Sequence, residues 1–230
     1  MRHGTADAEV EGAGGRAAIS RRRRAEIVAA AAAVLGRLGS AETSMKEIAA
    51  EAGVAPGLLH YYFESKDDLL VAVVGELDRQ LAAAWGAAVE GVDDPLERLI
   101  AGVGAAADHS ARHPEVWRAL ADLSLLSLSD PALTASCQAL RSRFAAAVET
   151  EVRGTLGRLP AYTLAPPRDL AGAIAATIEG AAVGALLTGR DATGQFEALK
   201  VMILSLVVTA HVTARQEPPI ARLAQLLRPR

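Results

Sequence analysis

Along this chain apolar residues return every three to four positions, and no run of one-by-one alternation interrupts them. That spacing belongs to helices with one buried face rather than to strands. It predicts helices over 21–38, 45–52, 56–62, 66–90, 95–111, 115–128, 131–157, 168–188, 194–215 and 219–227, an all-α chain with no internal repeat. Proline at a first-turn position marks several of the starts: Asp94-Pro95 with Glu97 as reciprocal capping partner, His113-Pro114, and Asp130-Pro131. The N–H that proline lacks has no partner in a first helical turn, so nothing is lost there. Gly189 and Gly194 bracket one loop, and Pro160 to Pro167 form another. Residues 1–19, rich in Gly, Ala and Glu, are expected to be a disordered tail.

The second and third predicted helices are unusually well specified. Ser44 followed by Glu47 is a capping box, in which the serine oxygen takes a free N–H and the glutamate reaches back to the cap. Met45, Ile48, Ala49 and Ala52 then form one apolar stripe, and Gly53 ends the helix in a conformation that costs other residues a Cβ clash. Pro56 opens the next helix. Leu59 and Phe63 are four apart and face inward, leaving Pro56, Gly57, His60 and Tyr61 on an outer face without an acidic residue. Two short helices joined at a glycine, the second displaying polar and aromatic groups, form the helix-turn-helix pattern that lays its second helix in the major groove of DNA.

The stretch AETSMKEIAAEAGVAPGLLHYYFESKDDLL closely resembles the DNA-binding domain of the TetR family of bacterial transcription regulators. The resemblance rests on the alanine after Ile48, the Ala52-Gly53-Val54 turn, Gly57, Leu59, Tyr62-Phe63 and Ser65-Lys66, and it covers roughly the first third of the chain. It implies that Pro56, Gly57 and Leu58 approach base edges, that His60 and Tyr61 meet phosphates or bases, and that Ser44 and Lys66 contact phosphates. The chain departs from the usual pattern at Ala55, Leu58 and His60, where the family often has Ser, Thr and Tyr. No Arg or Asn, the strongest bidentate base readers, sits on this helix. Sequence selection is therefore expected to rest on contact with thymine methyl groups and on DNA shape.

With 230 residues, 51% hydrophobic and 22% charged, the composition is that of a globular protein. Its net charge of -3 hides a basic N-terminal end: Arg16, Arg21, Arg22, Arg23, Arg24, Arg37 and Lys46 face only Glu26 and Glu42 between residues 16 and 46. Arg21 to Arg24 either form a DNA-contacting arm or are a solvated charge run. The single cysteine, Cys137, shares a helical stripe with Leu133, Leu140, Phe144 and Val148, which predicts a buried thiol, and one cysteine fits a reducing cytoplasm.

The domains expected are the tail at 1–19, the helix-turn-helix domain at 20–65, and a larger helical domain at 66–230. The resemblance implies that this last domain holds a ligand and joins two subunits. Candidates for a pocket between residues 80 and 165 are Trp85, Trp117, Asp122, Ser124, Ser127, Arg141 and Tyr162, with Asp122 either paired to Arg118 or Arg141 or aimed at a cation. Their mostly apolar surroundings point to a hydrophobic or amphipathic effector. Between Ala171 and Thr188 only Glu179 is charged, and Ala173, Thr177, Gly180 and Gly184 form a line of small residues that allows close helix approach. Met202, Ile203, Leu206, Val207 and Ala210 supply a second stripe. These helices are read as a homodimer interface, with a membrane span as the weaker alternative. A two-fold dimer requires a roughly palindromic operator.

His109 and His113 have a spacing that can hold a metal, but Ser110 stands where a zinc protease needs Glu. They are read as exposed helix-end histidines, and no metal or cofactor is expected. The leading function is thus a ligand-released transcription repressor. The alternatives are a DNA-binding regulator acting through a protein partner and, more distantly, a helical enzyme, for which no nucleophile–base pair, phosphate loop or paired-carboxylate pattern is visible.

Overall fold

The computed structural model describes residues 4–160 and 165–228, with side chains from residue 18 onward. Among the described residues the chain is helical throughout, in the order α1 (Gly4–Leu38), α2 (Met45–Glu51), α3 (Pro56–Tyr62), α4 (Lys66–Val89), α5 (Pro95–Arg112), α6 (Pro114–Leu126), α7 (Pro131–Leu156), α8 (Pro167–Thr188), α9 (Thr193–Thr213) and α10 (Ile220–Leu226). The principal difference from the sequence reading is α1, which starts at Gly4 rather than at residue 21. No proline occurs between Gly4 and Leu38, so nothing breaks the helix, and its Ala, Glu and Arg residues offset the low helix propensity of Gly12, Gly14 and Gly15. The rest of the expected tail, residues 1–3, lies outside the described residues.

Capping sets the other boundaries. The Ser44 hydroxyl accepts the Glu47 N–H at 3.3 Å, and the Glu47 carboxylate accepts the Ser44 N–H at 2.7 Å. Gly53 has φ +63°, the left-handed turn that the α2–α3 junction requires. Asp94 accepts the Glu97 N–H at 3.0 Å as predicted, but the Glu97 carboxylate faces Arg222 of α10 instead of reaching back. Asp130 caps α7 through the N–H groups of Ala132 and Leu133.

One hydrophobic core runs through both ends of the molecule. Ile27, Ala31, Val34 and Leu35 of α1, Ile48 of α2, Leu59 of α3 and Phe63 are fully buried, which fixes α3 against the first two helices. Helix α4 carries buried residues from Leu69 to Val89 and packs against α1 at one end and α5, α6 and α7 along its length. It is the rod between the domains.

A second connection was not visible in the sequence. Helix α6 crosses α1 so closely that a Cβ on Gly36 would lie 2.6 Å from the Glu115 carbonyl oxygen. Two turns further along α6, Asp122 accepts both the backbone N–H and the hydroxyl of Ser40, the latter at 3.1 Å. The Lys66 ammonium at the start of α4 donates to the Ser40 carbonyl at 2.8 Å. The α1–α2 loop is thereby clasped between α6 and α4.

Candidate DNA-reading face and interior cavity

The outer face of the helix-turn-helix is open. Ser44, Pro56, Gly57, Leu58, His60 and Tyr61 are exposed, and the Tyr61 ring stands edge-on to Tyr62 with centroids 5.1 Å apart. Inward-facing Leu59 and Phe63 anchor the helix from below. Nothing lies within 4 Å of where a Cβ on Gly57 would project. In this chain the space is empty, and a groove of DNA could approach the backbone there.

Several predicted contacts also hold partners within the protein. Lys66 is half-buried with its ammonium on the Ser40 carbonyl. The Ser44 hydroxyl and backbone N–H both donate to the Glu47 carboxylate, and these two bonds hold the Glu47 carboxyl below the usual glutamate range. The four arginines lie within α1, not in an extended arm before it. Arg22 and Arg23 pair with Glu26 at 3.0 and 2.8 Å, and the Arg24 guanidinium sits 4.6 Å from the centre of the Phe63 ring. Arg24 therefore tethers α1 to the end of α3. Arg37 bridges α1 to Glu51 of α2 at 2.9 Å.

In the second domain a cavity of about 290 Å³ opens between α4, α6, α7 and α8. Leu81, Trp117, Leu120, Leu140 and Phe144 form its apolar wall, with Gly172, Ala175 and Ala176 opposite. At its polar end Arg141 holds Glu179 through two bonds, Nη2 to Oε1 at 2.6 Å and Nε to Oε2 at 3.3 Å, and also reaches the Ser124 hydroxyl at 3.0 Å. Behind it lies a far smaller space of about 10 Å³, bordered by Trp85, Gly102, His109 and the back of Trp117 and Phe144. Trp85 meets Phe144 edge-on at 5.6 Å, and a Cβ on Gly102 would lie 2.5 Å from the Trp85 ring. Glycine is required there by the indole.

Of the predicted pocket residues, Trp117 and Arg141 line the cavity and Trp85 lines the space behind it. Asp122 points the other way, onto Ser40, and pairs with neither Arg118 nor Arg141. Ser124 supports Arg141 from outside the cavity, Ser127 closes the end of α6 by donating to the Ser124 carbonyl at 2.7 Å, and Tyr162 lies outside the described residues. Phe144, Leu140 and Glu179 were missed. The signal available was Glu179 itself, a lone charge on an apolar helix that needs a partner.

His109 is buried, not exposed. Its Nδ1 accepts the Trp117 indole N–H at 3.1 Å, and burial pushes its pKa down, helped by His113 and Arg112. The tautomer protonated at Nε2 follows from that bond. Among the described residues no three His, Cys, Asp or Glu side chains cluster to hold a metal. Cys137 is a core thiol whose burial raises its pKa.

Comparison with known proteins places this geometry. Residues 27–73 match the sequence model of the bacterial regulatory proteins of the tetR family. Residues 27–73 thus form a DNA-binding domain of the TetR type. It is similar to the transcriptional regulator BetI of Brucella canis, at 40% identity over 79 residues, 34% of this chain and 40% of the relative. BetI of Rhizobium meliloti matches at 42% over 79 residues, 34% of this chain and 39% of the relative. The chain thus spans about two-fifths of the length of these curated relatives. Solved structures extend the likeness of fold. A TetR-family regulator from a Rhodococcus species superposes with TM-score 0.71 at 19% identity, covering 82% of this chain and 98% of that one. A regulator from Saccharomonospora viridis solved in complex with choline gives 0.70 at 20% identity, covering 80% and 96%.

The last two long helices leave one side open. On α8, Ala173, Thr177 and Gly180 are exposed and Gly184 half-buried, and a Cβ on either glycine would have nothing within 4 Å. Their smallness serves no contact within the protomer. On α9 the predicted stripe splits. Ile203, Val207 and Ala210 belong to the protomer's own core, whereas Met202 is exposed and Leu206 half-buried. Val201 and Val212 join Met202 on the open side, and Leu187 of α8 is 82% exposed. Both helices are long and apolar enough by length and composition to cross a membrane.

Proposed function

We propose that this protein is a DNA-binding transcriptional repressor that binds a roughly palindromic operator as a homodimer and is released by a small molecule held in its second domain. The observation that carries the reading is the exposed, acid-free α3 face on a rigidly capped helix-turn-helix of the TetR family. In a two-fold dimer such faces enter successive major grooves roughly 34–36 Å apart. With Pro56 and Leu58 where hydrogen-bonding groups could sit, one copy discriminates weakly, and selection comes from the pair.

The open apolar side of α8 and α9 supports the dimer. Leu187, Val201, Met202 and Val212 are large apolar groups in water in the single protomer, and a like face from a second copy would cover them. A subunit interface accounts for these helices better than a span does, since Glu179 in the middle of α8 is ion-paired to α7. The cytoplasm is the compartment this function requires.

The cavity supports gating by a ligand over action through a protein partner alone. Its volume and apolar wall suit a small molecule. Helix α6 offers the route to the DNA end: Trp117 and Leu120 face the cavity, and Asp122 on the same helix clasps Ser40. A ligand that shifts α6 changes the seat of the α1–α2 loop, and with it the pose of α3. The match of residues 27–73 to a family of regulatory proteins weighs against the enzymatic reading.

Gel shifts with DNA flanking the protein's own gene test the proposal. Salt-sensitive binding that prefers one fragment supports it, and binding indifferent to sequence refutes it.

A further inference from the structure

We infer that the cavity beneath α8 selects an uncharged, compact ring compound and rejects cationic and anionic analogues of the same shape. The inference rests on reading this cavity as the effector site. Its volume of about 290 Å³ is roughly twice the ~150 Å³ that holds benzene in an apolar protein cavity, enough for two fused rings with a short substituent. The Trp117 indole N–H is committed to His109, so this ring presents carbon surface to the cavity rather than a donor.

The electrostatics follow from one pair. Among the described residues Arg141 and Glu179 are the only ionisable side chains lining the cavity, and each already neutralises the other. A carboxylate drawn to Arg141 meets Glu179 beside it. An ammonium drawn to Glu179 meets Arg141, and a quaternary ammonium such as choline has no N–H with which to bridge the two. Either charged head loses hydration without gaining an unshared counter-charge, which is unfavourable in apolar surroundings. An amide or hydroxyl loses far less, and it can bond the free N–H groups of the guanidinium or the remaining lone pairs of the carboxylate. The pair acts as a neutral polar cap over an apolar ring site.

Isothermal titration of the full chain with four probes tests this: indole-3-acetamide, indole-3-acetate, tryptamine and choline. Indole-3-acetamide is expected to bind at least about tenfold more tightly than each charged probe, a difference of about 1.4 kcal/mol. Arg141→Met frees the Glu179 charge and should raise tryptamine affinity about tenfold, whereas Glu179→Gln should do the same for indole-3-acetate. Tryptamine, indole-3-acetate or choline matching the amide on the unaltered protein overturns the inference. So does an order unchanged in both variants. Ala175→Leu on α8 and Ala145→Leu on α7, both positions lining the cavity, separate the two levels of failure. If either one, folded by circular dichroism, weakens binding while a charged probe wins, the site stands and the charge rule falls. If neither weakens it, or no probe binds at all, the effector-site reading falls and the inference with it.

Discussion

The DNA-reading end and the cavity end of this molecule are built by opposite strategies. The reading face is made from contiguous residues, Ser44 to Lys66, each helix positioned by its own cap, turn glycine or N-terminal proline. The cavity is assembled from α4, α6, α7 and α8, so every pair of facing walls depends on tertiary packing. A local motif can be rigid in either ligand state, whereas a site shared by four helices changes shape when any one of them shifts. That is the division of labour the proposed ligand-gated reader needs, and α6 belongs to both halves.

The contrast breaks most visibly by truncating a phenylalanine in each half. Phe63→Ala removes a fully buried ring and the seat of Arg24, and should cost about 3–5 kcal/mol in urea unfolding. Phe144→Ala borders space that is already empty, so it should cost clearly less while weakening ligand binding. Equal losses would mean that the cavity is filled by collapse in solution.

The link between the halves is the next largest effect. Asp122→Ala removes both bonds to Ser40, and the ratio of DNA affinities with and without ligand should shrink by most of the coupling, typically about 1–3 kcal/mol. DNA affinity without ligand should change far less in a fluorescence anisotropy titration. A full ligand response in this variant would remove the clasp from the pathway.

Ser44→Ala sharpens the local side of the comparison. Loss of the cap should lower stability by about 1 kcal/mol, with no change in ligand affinity at the cavity. The smallest effect is a pH dependence confined to the cavity side. Burial lowers the folded pKa of His109 below its unfolded value, so its contribution is present at neutral pH. It is lost progressively as pH falls below about 6.5 toward the folded pKa, because the unfolded chain binds the proton more readily. His109→Gln should flatten that part of a melting temperature profile.

The same division explains what could be read from the amino-acid sequence. Capping box, Gly53, Pro56 and the inward pair Leu59 and Phe63 are local signals, and the structure has each where periodicity puts it. Asp122 was misread because its partner, Ser40, is 82 residues away, and no spacing rule connects them. Arg141 was found but not its partner Glu179, which lies 38 residues on. On α9 the difficulty is different. The helix is apolar on both sides, so periodicity cannot tell the core stripe Ile203 and Val207 from the open stripe Val201 and Met202. The start of α1 escaped because no apolar stripe marks a helix before residue 21.

The central claim, that the exposed α3 face reads DNA as a symmetric pair, is tested most directly by one titration. A labelled duplex from the DNA flanking the gene is followed by anisotropy at two salt concentrations, for the unaltered protein and for His60→Ala. Saturation at a multiple of two protomers per site is expected, with affinity that falls steeply with salt and drops roughly tenfold in the variant, about 1.4 kcal/mol. Binding that survives His60→Ala unchanged, or that saturates with one protomer per duplex, would contradict it.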